Sequence, residues 1–66
     1  MTVIVNDKPV ELDDKADLRV LLETIGAEPG KVAVMIDGHI VPRSEHTRTP
    51  LRDGSRIDVL VFAGGG

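Results

Sequence analysis

Apolar residues alternate with polar ones at the start of the chain, as they do in a β-hairpin. A β-branched run from Val3 to Val5 is followed by the turn-forming residues 6–9, after which alternation resumes over residues 10–12. β-branched residues favour strands, whereas Asn, Asp and Pro favour turns. The pattern therefore predicts an N-terminal β-hairpin, whose core residues we expect to be Val3, Val5, Val10 and Leu12.

The next apolar residues follow the period of a helix instead. They stand at positions i, i+3, i+4 and i+7 and would form one apolar face: Leu18, Leu21, Leu22 and Ile25. Asp17 stands where an N-cap side chain accepts backbone N–H groups, and Gly26 suits the left-handed end of a helix. A helix over residues 18–25 is predicted, and it is too short to be stable unless it packs on a sheet.

The second half of the chain predicts three more strands. Residues 32–36 are mostly apolar, Asp37-Gly38 is a tight-turn signal, and residues 39–41 form a short return strand. Residues 57–62 are apolar at five of six positions, and a strand that is apolar on both faces should be central in its sheet. The order predicts an α+β fold with a mixed sheet of four to five strands and one main helix across one face.

The domain is expected to span residues 1–62, with a flexible glycine tail over residues 63–66. Between the last two strands, residues 43–50 are polar, and Ser44 could start a single helical turn there.

Composition narrows the function classes. The 66 residues include no Cys and two His, so neither a disulfide nor a structural zinc site is expected. A net charge of −3 and a single aromatic residue argue against nucleic-acid binding. No apolar run could span a bilayer, and the strand-like start does not resemble a signal peptide. We therefore expect a cytoplasmic protein that is a monomer when free.

The chain ends in three glycines, Gly64, Gly65 and Gly66. Glycines lack a Cβ, so they fit a channel too narrow for any side chain and leave the terminal carboxylate open to attack from either face. A carboxylate becomes electrophilic once ATP has converted it to an acyl-adenylate. A sulfur nucleophile can then displace AMP and leave a terminal thiocarboxylate. By itself a glycine tail is also typical of a frayed end.

In combination, several short segments make the chain resemble the ThiS family of sulfur carriers in thiamine biosynthesis, relatives of ubiquitin and of the molybdopterin-synthase small subunit MoaD. The resemblance covers essentially the whole chain, including the Asn6 turn and the helix. It is densest in Val32-Ala33-Val34, Asp37-Gly38, Ile40-Val41-Pro42-Arg43, Pro50-Leu51, Asp53-Gly54 and the apolar strand that runs into the terminal glycines. Asp37 departs from the pattern, since many relatives carry Asn there.

The resemblance implies a β-grasp (ubiquitin-like) fold and a carrier that is not an enzyme. A ThiF-like enzyme would use ATP to adenylate Gly66, a donor such as a cysteine desulfurase would supply sulfur, and a ThiG-like thiazole synthase would receive it. The chain itself would bind no cofactor and no metal. Two alternatives stay open. One is a MoaD-like or other thiocarboxylate carrier that serves molybdopterin, cysteine, homocysteine or secondary-metabolite synthesis, and the other is a β-grasp interaction module without acyl chemistry.

The helix can cover only one side of the sheet, so apolar residues on the other side must be partly bare. We expect that face to dock the activating enzyme, with Leu60 and Phe62 as candidate contacts. One register step exchanges the two faces, so Val59 and Val61 are the alternative set.

Charged residues offer weaker signals. Arg43 belongs to a run of basic positions that is either a solvated face or a docking surface for an acidic groove: Arg43, Arg48, Arg52 and Arg56. Surface or turn roles are expected for His39 and His46.

Overall fold

In the computed structural model, residues 1–61 are described, with Pro29 described by its backbone alone. The strands are β1 (Thr2–Val5), β2 (Lys8–Glu11), β3 (Val32–Ile36), β4 (His39–Val41) and β5 (Arg56–Val61), and the helix is α1 (Leu18–Thr24). Two short 3-10 turns cover Pro29–Lys31 and Arg43–Glu45.

The five strands form one mixed sheet in the order β2-β1-β5-β3-β4. The first strand, β1, is parallel to β5, whereas the pairs β1–β2, β3–β4 and β3–β5 are antiparallel. The last strand is therefore central and lies beside the first. This confirms the α+β arrangement that the order of elements predicts.

Both hairpins turn through two residues with positive φ. Asn6 and Asp7 have φ values of 49° and 69°, and Asp37 and Gly38 have values of 50° and 86°. Such pairs are typical of type I′ turns, whose twist matches that of the flanking strands. The first turn is shorter than predicted, because Lys8 and Pro9 already belong to β2. This is an edge strand, where proline's missing N–H is tolerated.

The helix begins and ends almost where the sequence predicts. The Asp17 carboxylate accepts a hydrogen bond from the Val20 backbone N–H at 3.0 Å, which confirms the N-cap. The helix ends at Thr24 with Ile25 as its C-cap, and Gly26 follows with a φ of 76°. Ile25 lies past the last helical turn and is 38% exposed, so it contributes less to the apolar face than its spacing predicts.

The core lies between α1 and one face of the sheet. Its buried residues come from three strands, the helix and one loop position: Val3, Val5, Leu18, Leu21, Leu22, Val32, Val34, Leu51, Ile57 and Val59. Val10 and Leu12, predicted as core residues, are only partly buried against it. The strand β5 is central, as predicted, and only one of its faces is buried. Ile57 and Val59 face the helix, while Asp58 and Leu60 alternate to the open side.

The loop from β4 to β5 passes along the helix side of the sheet. The Leu18 N–H donates to the Thr49 carbonyl at 3.2 Å, and Asp17 forms an isolated β-bridge with Pro50. The helical turn in this loop begins at Arg43, directly after Pro42, rather than at Ser44.

His46 lies in a turn of this loop, which agrees with the predicted surface or turn role, but it is only 3% exposed and is therefore not a surface residue. Its Nε2 lies 3.2 Å from the Val41 carbonyl oxygen, while Nδ1 has no hydrogen-bond partner among the described residues. The buried imidazole thus packs this loop against the end of β4.

Candidate functional site

The end of β5 is the part of the structure closest in sequence to the terminal glycines. Val61 pairs with Val32 at the start of β3. Since β4 and β5 are both antiparallel to β3, they run in the same direction, and the end of β4 lies toward this end of the sheet as well. The predicted site residues Phe62, Gly64, Gly65 and Gly66 lie outside the described residues.

The open face of the sheet carries an apolar patch. Residues directly opposite each other on neighbouring strands share a face. Leu60 is paired with Ala33, and Met35 is paired with Ile40, so these four residues form one surface, here called the outer-face patch. Leu60 is 58% exposed and Ile40 is 74% exposed. The register thus places Leu60 and Met35 on the open face of the sheet and Val34 and Val59 on the helix side. The sequence left this choice between the two faces open.

Val61 is also exposed, at 76%, although it has the same strand parity as the buried Val59. The core includes Val59 but not Val61. Near its end, β5 therefore presents apolar side chains on both faces: Leu60 on the open face and Val61 on the helix-side face.

Arg43 lies just after β4 and is exposed. Its guanidinium group packs on Gly30, where a Cβ atom would come within 3.3 Å of Nη2. Within the part of the chain that the structure describes, Arg43 forms no salt bridge, so its charge is available to a partner.

The predicted basic run does not form a single cluster. Arg56 is the first residue of β5 and lies at the opposite end of that strand from Val61, about 17 Å away at about 3.4 Å per residue. Its Nη2 atom is 3.2 Å from the Asp7 carboxylate. Arg43, unlike Arg56, lies at the end of the sheet where β4 and β5 end.

Asn6 contacts β5 in a way that sequence reasoning missed. Its Oδ1 accepts a hydrogen bond from the Val59 N–H at 2.8 Å, and its Nδ2 donates to the Val59 carbonyl at 3.1 Å. An Asn at a positive-φ turn position is ordinarily explained by the turn alone, so this second role leaves no separate signal in the sequence.

Two groups with shifted pKa values, the Met1 ammonium and Asp14, lie at the other end of the molecule. The Met1 ammonium donates to Asp14 Oδ1 at 2.9 Å and to the Leu12 carbonyl at 2.7 Å. The hydrogen bond to Asp14 raises the pKa of the Met1 ammonium above its usual value. The same contact lowers the pKa of Asp14.

Residues 1–61 contain no group of three or more His, Cys, Asp or Glu side chains that could hold a metal ion, and no pocket. No helix among them is both long and apolar enough to cross a membrane. What they offer is an exposed apolar face and an unpaired cation, which are means of being recognised by another protein.

Comparison with known proteins places these features in context. The model of the ThiS family matches residues 3–66. The crystal structure of the thiamine biosynthesis protein ThiS from Geobacter metallireducens superposes with a TM-score of 0.82 at 30% identity, with both chains covered in full. An NMR solution structure of a thiamine biosynthesis protein from the same organism gives a TM-score of 0.77 at 29% identity, covering all of this chain and 88% of that one.

A curated thiazole synthase from Paramagnetospirillum magneticum is 29% identical over all 66 residues of the chain. The chain spans only 20% of the length of that protein.

Proposed function

The chain belongs to the ThiS family, and from this premise we propose that it is a sulfur carrier for thiamine (thiazole) biosynthesis. The match to ThiS from Geobacter metallireducens confirms the β-grasp fold and supports a carrier rather than an enzyme. The observation that carries the proposal is the extent of the family match, which covers residues 3–66 and so includes the apolar last strand and Gly66.

The chemistry resides in the terminal carboxylate of Gly66. A carboxylate oxygen attacks the α-phosphorus of ATP and releases pyrophosphate, which gives an acyl-adenylate. Hydrosulfide then attacks the acyl carbon, and AMP leaves with the electrons of the broken C–O bond. The product is a thiocarboxylate, formed without any change of oxidation state in the carrier. Gly64 and Gly65 let this group enter a narrow active site, because they have no side chains to exclude.

Three partners follow from this proposal. A ThiF-like enzyme supplies the ATP-dependent activation, and a donor such as a cysteine desulfurase supplies the sulfur. A desulfurase carries that sulfur as a persulfide, so two electrons from a thiol reductant are needed to release it as hydrosulfide. A ThiG-like thiazole synthase receives it. The last partner has support from the thiazole synthase of Paramagnetospirillum magneticum, in which a segment similar to this whole chain occupies about a fifth of the protein. That match favours thiazole over molybdopterin as the destination. The carrier would act in the cytoplasm as a free monomer.

We assign docking of the activating enzyme to the outer-face patch together with Arg43. Leu60 and Ile40 expose most of their surface although they are large and apolar, and exposed apolar patches of this kind mark interaction sites. Arg43 is held on Gly30 and has no described ion-pair partner, so its planar guanidinium can pair with a carboxylate of the enzyme. Phe62 remains a proposed contact on sequence grounds.

Intact mass spectrometry tests the proposal. Incubation with ATP, sulfide and a ThiF-like enzyme should raise the mass of the chain by about 16 Da, as sulfur replaces one oxygen. A chain that lacks Gly65 and Gly66 is the matched control, since it keeps residues 1–61 intact and should gain no mass. If the full-length chain gains no mass, or the shortened chain gains as much, the carrier proposal is wrong.

A further inference from the structure

We propose that Asn6 is a positioning residue that fixes the base of the C-terminal segment, residues 62–66, for activation. The inference rests on the proposed function, because it concerns how the end of β5 is presented to the activating enzyme. Asn6 lies in the turn of the first hairpin, outside both the terminal segment and the outer-face patch, to which the proposed function assigns its roles.

The geometry shows how Asn6 replaces a missing piece of strand. The parallel pairing of β1 with β5 ends at Val5, opposite Ile57, but β5 continues to Val61. The Asn6 backbone N–H donates to the Ile57 carbonyl at 2.9 Å. Its side-chain amide then bonds both the N–H and the carbonyl of Val59, at 2.8 Å and 3.1 Å. The carboxamide therefore acts as the next peptide group of β1 and extends the ladder by one step.

Asparagine fits this position for two reasons. The residue must accept a φ of 49°, a region that Asn and Asp enter more readily than other non-glycine residues. Its side chain must also accept a hydrogen bond from the Val59 N–H and donate one to the Val59 carbonyl. An ionised Asp has only acceptors, and Gly has no side chain.

Asp37 provides an internal comparison. It occupies the same position in the other type I′ turn, with a φ of 50°, and its Oδ1 accepts from the Arg56 N–H at 3.0 Å. Its own backbone N–H donates to the Arg56 carbonyl at 2.8 Å, so its side chain needs only an acceptor. An Asp is therefore sufficient at residue 37, whereas residue 6 requires an Asn. Each turn secures β5, Asp37 at its first residue and Asn6 close to its end.

The position of the Asn6 contact is what connects it to function. Val59 lies two residues before Val61 and seven before Gly66. Past Val59, the pairing described for β5 is with β3 alone, through Leu60 and Val61. Release of the Asn6 bonds would let the end of β5 change direction. The end of β5 leads directly into the segment that carries Gly66, and misplacement of a reacting group by about 1 Å can cost about 100-fold in rate.

The test compares Asn6→Gly with Asp37→Gly. Both substitutions suit positive φ, and each removes a side-chain bond to β5, but only the first acts near the terminal segment. At equal folded fractions, Asn6→Gly should lower kcat for adenylation about tenfold, with KM for the carrier little changed, because the outer-face patch is intact. Asp37→Gly should leave both constants near the parent values. Asn6→Asp, which keeps the acceptor for the Val59 N–H, should fall between parent and Asn6→Gly.

Amide hydrogen exchange gives a readout that does not need the enzyme. The Val59 amide should exchange about tenfold faster in Asn6→Gly than in the parent and should be unchanged in Asp37→Gly. Unchanged Val59 exchange in Asn6→Gly, or the same kcat in the two glycine variants, would overturn the role of Asn6. Absence of the mass gain in the parent chain would instead refute the carrier function, and the exchange result would still decide whether Asn6 holds the end of β5.

Discussion

Substitutions at two adjacent residues of β5, Leu60 and Val59, should separate an effect on docking from an effect on stability. Leu60 is 58% exposed on the open face, and Val59 is 6% exposed against the helix. The perturbation is to replace each with Ala. The two variants alter the same strand at neighbouring positions, so each serves as the other's control.

The expected stability costs differ because the burial differs. Full burial of a Leu side chain contributes about 1.5–3 kcal/mol, and less than half of Leu60 is buried, so Leu60→Ala should cost about 1 kcal/mol or less. Val59→Ala empties a packed core position and should cost about 2–3 kcal/mol. For 66 residues at about 0.05–0.15 kcal/mol each, total stability is about 3–10 kcal/mol. The core variant thus loses a large share of the stability, while the surface variant does not.

The loss of adenylation activity should follow the opposite order and be larger for Leu60→Ala than for Val59→Ala. If Leu60 is a central contact for the activating enzyme, its loss should lower kcat/KM for adenylation about tenfold, whereas Val59→Ala should retain the parent value per folded molecule. Urea unfolding gives the folded fraction, and pyrophosphate release at low temperature gives the rate. An unchanged kcat/KM for Leu60→Ala would remove the outer-face patch from the docking site. An equal loss of stability in both variants would contradict the assigned register.

Three further outcomes are expected. Arg43→Glu should lower kcat/KM for adenylation without shifting the urea midpoint, and added salt should narrow its difference from the parent; identical rates at low salt would exclude Arg43 from docking. Asp17→Ala should cost about 1 kcal/mol by removing the helix N-cap, whereas Asp17→Asn should cost much less, and equal costs would show that the cap bond is not the cause. In the parent, the contact between Asp14 and the Met1 ammonium loses its stabilising effect as the pH falls through the depressed pKa of Asp14, and again as the pH rises through the elevated pKa of the Met1 ammonium. Asp14→Asn should remove the acid-side loss and reduce the alkaline-side loss, because Glu11 and Asp53 still raise the pKa of the ammonium; identical pH-dependent thermal unfolding of the two proteins would refute this.

The sequence predicted the elements well because its local signals agree with each other. The alternation around Val3, the spacing of Leu18 with Leu21, and the turn residues at Asp37 each require one local conformation, and the structure has all three. The central place of β5 was also predictable, because residues 57–62 are apolar at five of six positions. Which of these residues are buried was not predictable, since Leu60 is apolar and exposed. An apolar side chain for a partner and one for the core look the same in sequence.

Other features of the site required the three-dimensional structure. His46 is a polar residue in a polar segment, and only the fold places it against the Val41 carbonyl. The Asn6 contact with Val59 joins residues at opposite ends of the chain. The packing of Arg43 on Gly30 likewise depends on two loops that meet only after the sheet has formed. No local pattern encodes such pairings, so sequence reasoning could name Arg43 but could not say what supports it.

The central position of β5 also has a consequence for synthesis of the protein. Without β5, no pairing would connect β1 and β2 to β3 and β4, and the sheet would be two separate hairpins. Isolated hairpins are marginally stable at best in water. The ribosome makes β5 last among the described strands, so the sheet cannot close until β5 has left the exit tunnel. A prematurely terminated chain that lacks β5 would expose its core side chains to proteases. Folding of the sheet therefore selects for chains translated at least to the end of β5.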